Sequence, residues 1–180
     1  MVFTHDTEVS LRTAAALVNT APGDGGDMLS SSDALREFYV EWEWTGRFDG
    51  DATELEQARA LRPRLRALWL AGDEHATAEI VNELLRDGEA LPQLVEHDDV
   101  GWHIHATGDD APFARRIQVE VAMAVLDLIR AGDLSRLRVC AADDCDAVLV
   151  DLSRNRSKRY CDGGCGNRVA AAAYRARQAD

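Results

Sequence analysis

The chain has 180 residues, 46% of them hydrophobic, and a net charge of −12, enough for one domain with a sizeable core and at most a small appendage. Charge interrupts every apolar stretch within a turn or two, so no membrane span is expected, and the opening Met-Val-Phe-Thr-His-Asp lacks the basic-then-apolar order of a secretory leader. So acidic a balance excludes a protein that coats nucleic acid with its whole surface.

The first 130 or so residues carry helical periodicity. Val9 to Val18 is apolar and closes on Leu17-Val18-Asn19-Thr20, before a Pro/Gly-rich loop over 22–26. Ser32 is placed to cap a helix in which Leu35, Phe38, Tyr39 and Trp42 fall on one stripe. Thr53-x-x-Glu56 predicts a capping box ahead of Leu61, Leu65 and Leu68. Pro63 should kink or restart that helix. Asp73 caps a further helix bearing Ile80, Val81, Leu84 and Leu85, which stops near Gly88.

The texture then changes. Leu91 to Val95 and Gly101 to Thr107 flank His97-Asp98-Asp99, and Trp102, Ile104 and Ala106 alternate with His103, His105 and Thr107. This predicts a β-hairpin with its polar residues on the outer face. His103 and His105 share that face, where they could hold a metal or ligand together with His97 or an acidic residue. A long helix follows Pro112 and buries Ile117, Val121, Ala124, Val125 and Leu128; Ala131-Gly132-Asp133 ends it. The boundary is placed there, with a helical domain over 1–131 and a second unit over 132–180, each with its own core.

All four cysteines lie in that second unit, as Cys140-x4-Cys145, fifteen residues, then Cys161-x3-Cys165. Two close pairs brought together by a short return segment are what a tetrahedral thiolate site requires. Four protein ligands fill the sphere, so the expected cofactor is one structural zinc. Neither pair is a Cys-x-x-Cys redox motif, and an iron–sulfur cluster, which also uses four thiolates, fits a hairpin-and-helix setting less well. Ala147 to Val150 is read as one strand and Arg156 to Tyr160 as its return. Cys165 opens a helix with Val169, Ala172, Ala173 and Ala176 facing inward. The fold class is thus mainly α, with a small hairpin and a C-terminal treble-clef-like zinc finger.

Charge is unevenly spread. From Arg136 onward, nine basic residues meet six acidic ones, a net of +3, which leaves −15 for the rest. Arg154, Arg156, Lys158, Arg159, Arg168 and Arg175 cluster on the cysteine scaffold and are the candidate DNA contacts, through phosphate. Arg168 is also placed to neutralise the thiolates. Asp151 and Asn155 should organise the turn. The tryptophans, at helical spacing, are expected mostly in the core. Asn19, Arg64 and His103 are the candidate effector-site residues. No nucleophile elbow, phosphate loop, dinucleotide fingerprint or His-Glu-x-x-His helix is present, so an enzyme is not expected.

The run Val150-Asp151-Leu152-Ser153-Arg154-Asn155, the basic Ser157-Lys158-Arg159-Tyr160-Cys161, the tetrapeptide Cys165-Gly166-Asn167-Arg168 and the closing Tyr174-Arg175-Ala176-Arg177 together resemble the CGNR zinc-finger family. In that family the finger follows an all-helical ABATE domain, whose opening motif Leu17-Val18-Asn19-Thr20 resembles. The resemblance implies a cytoplasmic, bacterial-type, stress-linked transcription regulator. It would bind DNA through the finger, with the N-terminal domain sensing a small-molecule effector or assembling a homodimer. A protein-interaction adaptor, or an enzyme in the N-terminal domain, are the other readings.

Overall fold

The structure, a computed structural model, describes residues 3–21, 26–96 and 101–179. Most of the expected 22–26 loop and the His97-Asp98-Asp99 turn lie outside them. The helices are α1 (His5–Asn19), α2 (Ser32–Glu41), α3 (Ala52–Leu70), α4 (Glu74–Asp87), α5 (Phe113–Arg130) and α6 (Cys165–Ala179). Strands β1 (Gln93–Glu96) and β2 (Trp102–His105) pair antiparallel, as do β3 (Leu137–Val139) and β4 (Val148–Val150).

Helix α5 is the hub. Its Phe113, Ile117, Val121, Val125 and Leu128 are fully buried, and α1, α3 and α4 pack around it. Each of these helices supplies its predicted stripe: Leu11 and Leu17, then Leu61, Leu65 and Leu68, then Val81 and Leu84. The caps are local, and two fall beside their expected places. Ser31, not Ser32, accepts from the Ala34 amide. Asp51, not Thr53, caps α3 by accepting from Glu54 N–H, and Glu54 reaches back past the cap to accept from Gly50 N–H. Asp73 caps α4 as expected. Pro63 leaves α3 continuous from Ala52 to Leu70. Proline removes the amide that would serve the carbonyl four residues back, and Arg62 Nε serves that Arg59 carbonyl instead, at 3.4 Å.

Three expectations are corrected. Arg156 to Tyr160 is not a strand; β4 pairs with β3, in the register Leu137↔Val150, and the cysteine knuckle is the turn between them. The segment after β4 is wound into a turn instead by buried Asp151, which accepts from the Ser153 and Lys158 amides. The first hairpin is inverted: Trp102 is 65% and Ile104 47% exposed, while His103 and His105 point inward. Trp102 is therefore no core residue. In α6 only Cys165 and Val169 pack on the finger; Ala172, Ala173 and Ala176 are exposed, because the helix outruns the small unit beneath it.

Strand β4 is shared between two apolar clusters. Val148 and Val150 face the helices, whereas Leu149 faces the cysteines. Asn19 fixes this seat, since its side chain donates to the Val148 carbonyl at 2.8 Å and accepts from the Val148 amide at 2.9 Å. Trp69 Nε1 donates to the Leu149 carbonyl. Asn19→Ala strips both bonds from a buried backbone unit and is expected to cost on the order of 2–3 kcal/mol, read from urea unfolding of the zinc-loaded chain.

Candidate metal centre

Cys140 leaves β3, Cys145 closes the knuckle before β4, Cys161 follows the turn, and Cys165 opens α6. A single backbone bond, Ala141 N–H to the Arg159 carbonyl at 2.9 Å, lays the second pair against the first. All four Sγ atoms lie within 4.8 Å of one another; Cys145 and Cys161 are 3.8 Å apart, Cys161 and Cys165 3.5 Å. Thiolates at about 2.3 Å from a tetrahedral zinc stand about 3.8 Å apart. The four cysteines form a zinc-binding site whose protein ligands close the coordination sphere, so the ion's chemistry there is structural.

Without a cation the thiols cannot all ionise together. Burial raises Cys140, but amide bonds from Cys161 and Ala142 and the neighbouring thiols outweigh it and bring the group down to about 7. Cys165 is pushed up to about 12, first by its bond with Cys161 and then by burial. Zinc must displace these protons, so loading weakens on acidification. Arg168 lies against this charge, 3.4 Å from Cys165 Sγ and 2.6 Å from the Asp144 carboxylate.

The basic residues fall into two groups. Arg168, Lys158 and Arg156 are paired, with Asp144, Asp162 and Asp133. Arg154, Arg159 and Arg175 are exposed and have no carboxylate partner among the described residues; Arg159 stacks over Tyr160. Behind them buried Arg136 bonds to Asp133 and to the Asp151 and Ser153 carbonyls, holding the turn to the end of α5. Asn155 is exposed and takes no part in the hydrogen bonds of that turn.

The three effector-site candidates do not converge. Asn19 lines a cleft of about 880 Å³ between α1 and the finger, with Arg12, Ala16, Trp42 and Leu152. Arg64 joins α3 to α4 and α5 through Asp87 and Gln118. His103 faces a small cavity of about 80 Å³ against α1 and α5. Sequence reasoning passed over that cleft, because it is made by docking elements far apart in the chain. It also passed over Glu120, although Glu120 sits three residues after Ile117 and four before Ala124 and so falls on the buried stripe.

Glu120 faces that small cavity, and burial raises its carboxyl to about 7, Arg116 opposing the rise while Asp6 and Asp109 add to it. The folded state therefore keeps a proton that the unfolded chain releases near 4.5. Glu120's own contribution to stability should fall as pH climbs from about 4.5 to 7, by about 3 kcal/mol in total. Glu120→Gln is expected to remove that slope, matching the parent at pH 4 and exceeding it at pH 8 in unfolding midpoint.

A family profile described as "CGNR zinc finger" matches residues 136–178. A second, ABATE, described as "Putative stress-induced transcription regulator", matches residues 11–132. The chain belongs to the ABATE family. Its finger is of the CGNR type, and the tetrapeptide that names it, Cys165-Gly166-Asn167-Arg168, supplies the last zinc ligand, the first turn of α6 and the arginine beside the thiolates. No curated protein matches the chain. No described helix is long and apolar enough to cross a membrane.

Proposed function

We propose that this ABATE protein is a transcription regulator that docks on duplex DNA through its finger, with α6 in the major groove. The observation that carries the reading is α6 itself. From Ala170 to Gln178 every side chain is exposed, and Cys165–Ala179 contains Arg168, Arg175 and Arg177 without one acidic residue, in a chain of net charge −12. The major groove, about 12 Å wide, admits one helix, and a flank of alanines lets that helix approach closely. Arg154 and Arg159, on the turn before α6, would reach phosphates and fix the register.

One finger offers few contacts, so tight specific binding calls for two copies on the site. The cleft between α1 and the finger supports the sensing half of the reading, since the end away from the thiolates, lined by Arg12, Ala16, Met28 and Trp42, offers a small-molecule effector both charge and apolar surface. Fluorescence anisotropy with duplex DNA over a salt series, followed by selection of bound sequences, tests the proposal. Affinity that falls steeply with salt and a selected motif are expected. A zinc-loaded protein that ignores DNA even at low salt would overturn it in favour of a protein adaptor.

A further inference from the structure

The finger is seated on the helical body along one strand. Val148 and Val150 of β4 are buried against the helices, Asn19 and Trp69 bond its backbone, and Arg66 reaches the neighbouring Asp146 carbonyl at 2.6 Å. To one side of that seat the two units do not close. They leave the cleft of about 880 Å³, walled by α1 and the end of α2 on one side and by β4, the turn after it and the cysteine knuckle on the other. Junctions of this kind are where small-molecule sites are usually found. One end of the cleft is the thiolate centre and belongs to zinc; the other end has a different chemistry.

At that other end Ala16, Met28, Trp42 and Leu152 supply an apolar lining. Trp42 and Leu152 pack on the core from beneath, while Met28 is exposed. An indole face and an unbranched thioether suit an apolar guest, the one by stacking and the other by adapting its shape. Arg12 stands in the same lining, exposed, with no hydrogen bond or ion pair among the described residues. From the finger comes Lys158, whose ammonium pairs with exposed Asp162 at 3.0 Å. An exposed pair of this kind is weak enough for a better-placed anion to displace.

The acidic residues sharpen the point. Up to residue 135 the chain carries a net charge of −15, yet no described carboxylate of the helical body lines the cleft. The two that do, Asp144 and Asp162, come from the finger and already face Arg168 and Lys158. A concave wall left cationic in so acidic a body favours an anionic occupant. A guanidinium presents a planar fork that matches the two oxygens of a carboxylate. A phosphate dianion ordinarily gathers more donors, commonly the amides of a helix N-terminus, and no helix begins at this end of the cleft.

We propose that this end of the cleft binds a small aromatic carboxylate, its carboxylate between Arg12 and Lys158 and its ring over Trp42 and Met28. Arg12 belongs to the body and Lys158 to the finger, so an occupant that engages both ties the two units together beside β4. Such a site deepens the sensing half of the regulator reading, and its regulatory purpose rests on that reading.

The test is calorimetric titration of the zinc-loaded full chain, without DNA, with benzoate, salicylate, phenylacetate and indole-3-acetate, each compared with its neutral amide. At least one acid is expected to bind, and its amide at least about tenfold more weakly, the scale of a lost charge-assisted hydrogen bond. Arg12→Gln should weaken that acid about tenfold or more, and Arg12→Lys should restore part of the affinity. Zinc content and melting temperature should stay at the parent's values in both variants, because Arg12 has no partner within the described chain. No binding of any of the four acids at millimolar concentration would overturn the site. So would amides that bind as well as their acids, or an affinity unchanged by Arg12→Gln. Carboxylate binding by a protein that ignores DNA would sink the regulator reading and leave the site standing; DNA affinity without carboxylate binding would do the opposite.

Discussion

Removing zinc is expected to dismantle the finger and to lower the melting temperature of the helical body with it. The cluster around the cysteines is small, with Ala142, Leu149, Tyr160 and Val169 as its main apolar members. It does not hold four separated ligands together unaided. Zinc in fingers of this size supplies about 10–16 kcal/mol of apparent binding free energy. The body keeps its own core around α5. It loses the cover of Val148 and Val150, each worth about 1.5–3 kcal/mol when fully buried, together with the Asn19 and Trp69 bonds to β4. Chelation should therefore give a partly helical protein that unfolds at lower temperature. Elemental analysis of the untreated chain should give about one tightly held zinc, as one four-ligand set requires. Cys161→Ser should act in the same direction without chelator. A melting curve unchanged by chelation would show that the hairpin folds without the ion. Acidification should release zinc as well, because Cys165 and Cys161 hold their protons strongly once the metal leaves.

The parts of this structure legible in the sequence are those written locally. The buried stripe of α5, the cap at Asp73 and the stop at Gly88 each depend on residues within a turn or two of one another. The cysteine spacing is legible for the same reason, since two tight pairs and a short return leave few arrangements. What the sequence left open depends on what meets what. Alternation along Trp102 to His105 defines two faces, but which one turns inward is decided by the polar cavity that α1 and α5 present. Arg156 to Tyr160 has the residues of a strand, yet the edge of β4 was already taken by β3, and buried Asp151 gathers the segment into a turn. The alanines of α6 look like a packing stripe and have nothing to pack on. Asn19, singled out as a polar residue near an effector site, spends both ends of its amide on Val148, and that partner lies 129 residues away. The partition of the arginines belongs here too: a run of cations shows no pairing until Asp133, Asp144 and Asp162 take their places beside three of them.

That partition sets the second large expected effect. Arg154, Arg159 and Arg175 carry charge that no described carboxylate offsets, so they are the groups free to replace counterions on a duplex. Each phosphate neutralised adds about 0.9 to the slope of log affinity against log salt. Arg154→Ala, Arg159→Ala and Arg175→Ala combined should therefore flatten that slope by about three units and weaken binding to all sequences alike. The zinc content and melting temperature should stay near those of the parent, because none of the three supports the fold through an ion pair. Arg156→Ala and Arg168→Ala should behave differently. Arg156 holds Asp133 at the end of α5, and Arg168 offsets the charge of the thiolates; their loss should lower stability or zinc retention first, and DNA binding only through that. Measuring slope, melting temperature and zinc content on the same three variants separates contact from support. If the triple variant keeps the parent's salt slope, those arginines do not touch the backbone. If instead Arg177→Ala alone abolishes discrimination between sequences while leaving the slope within about one unit, the far end of α6 reads base edges, as a helix projecting into the major groove would.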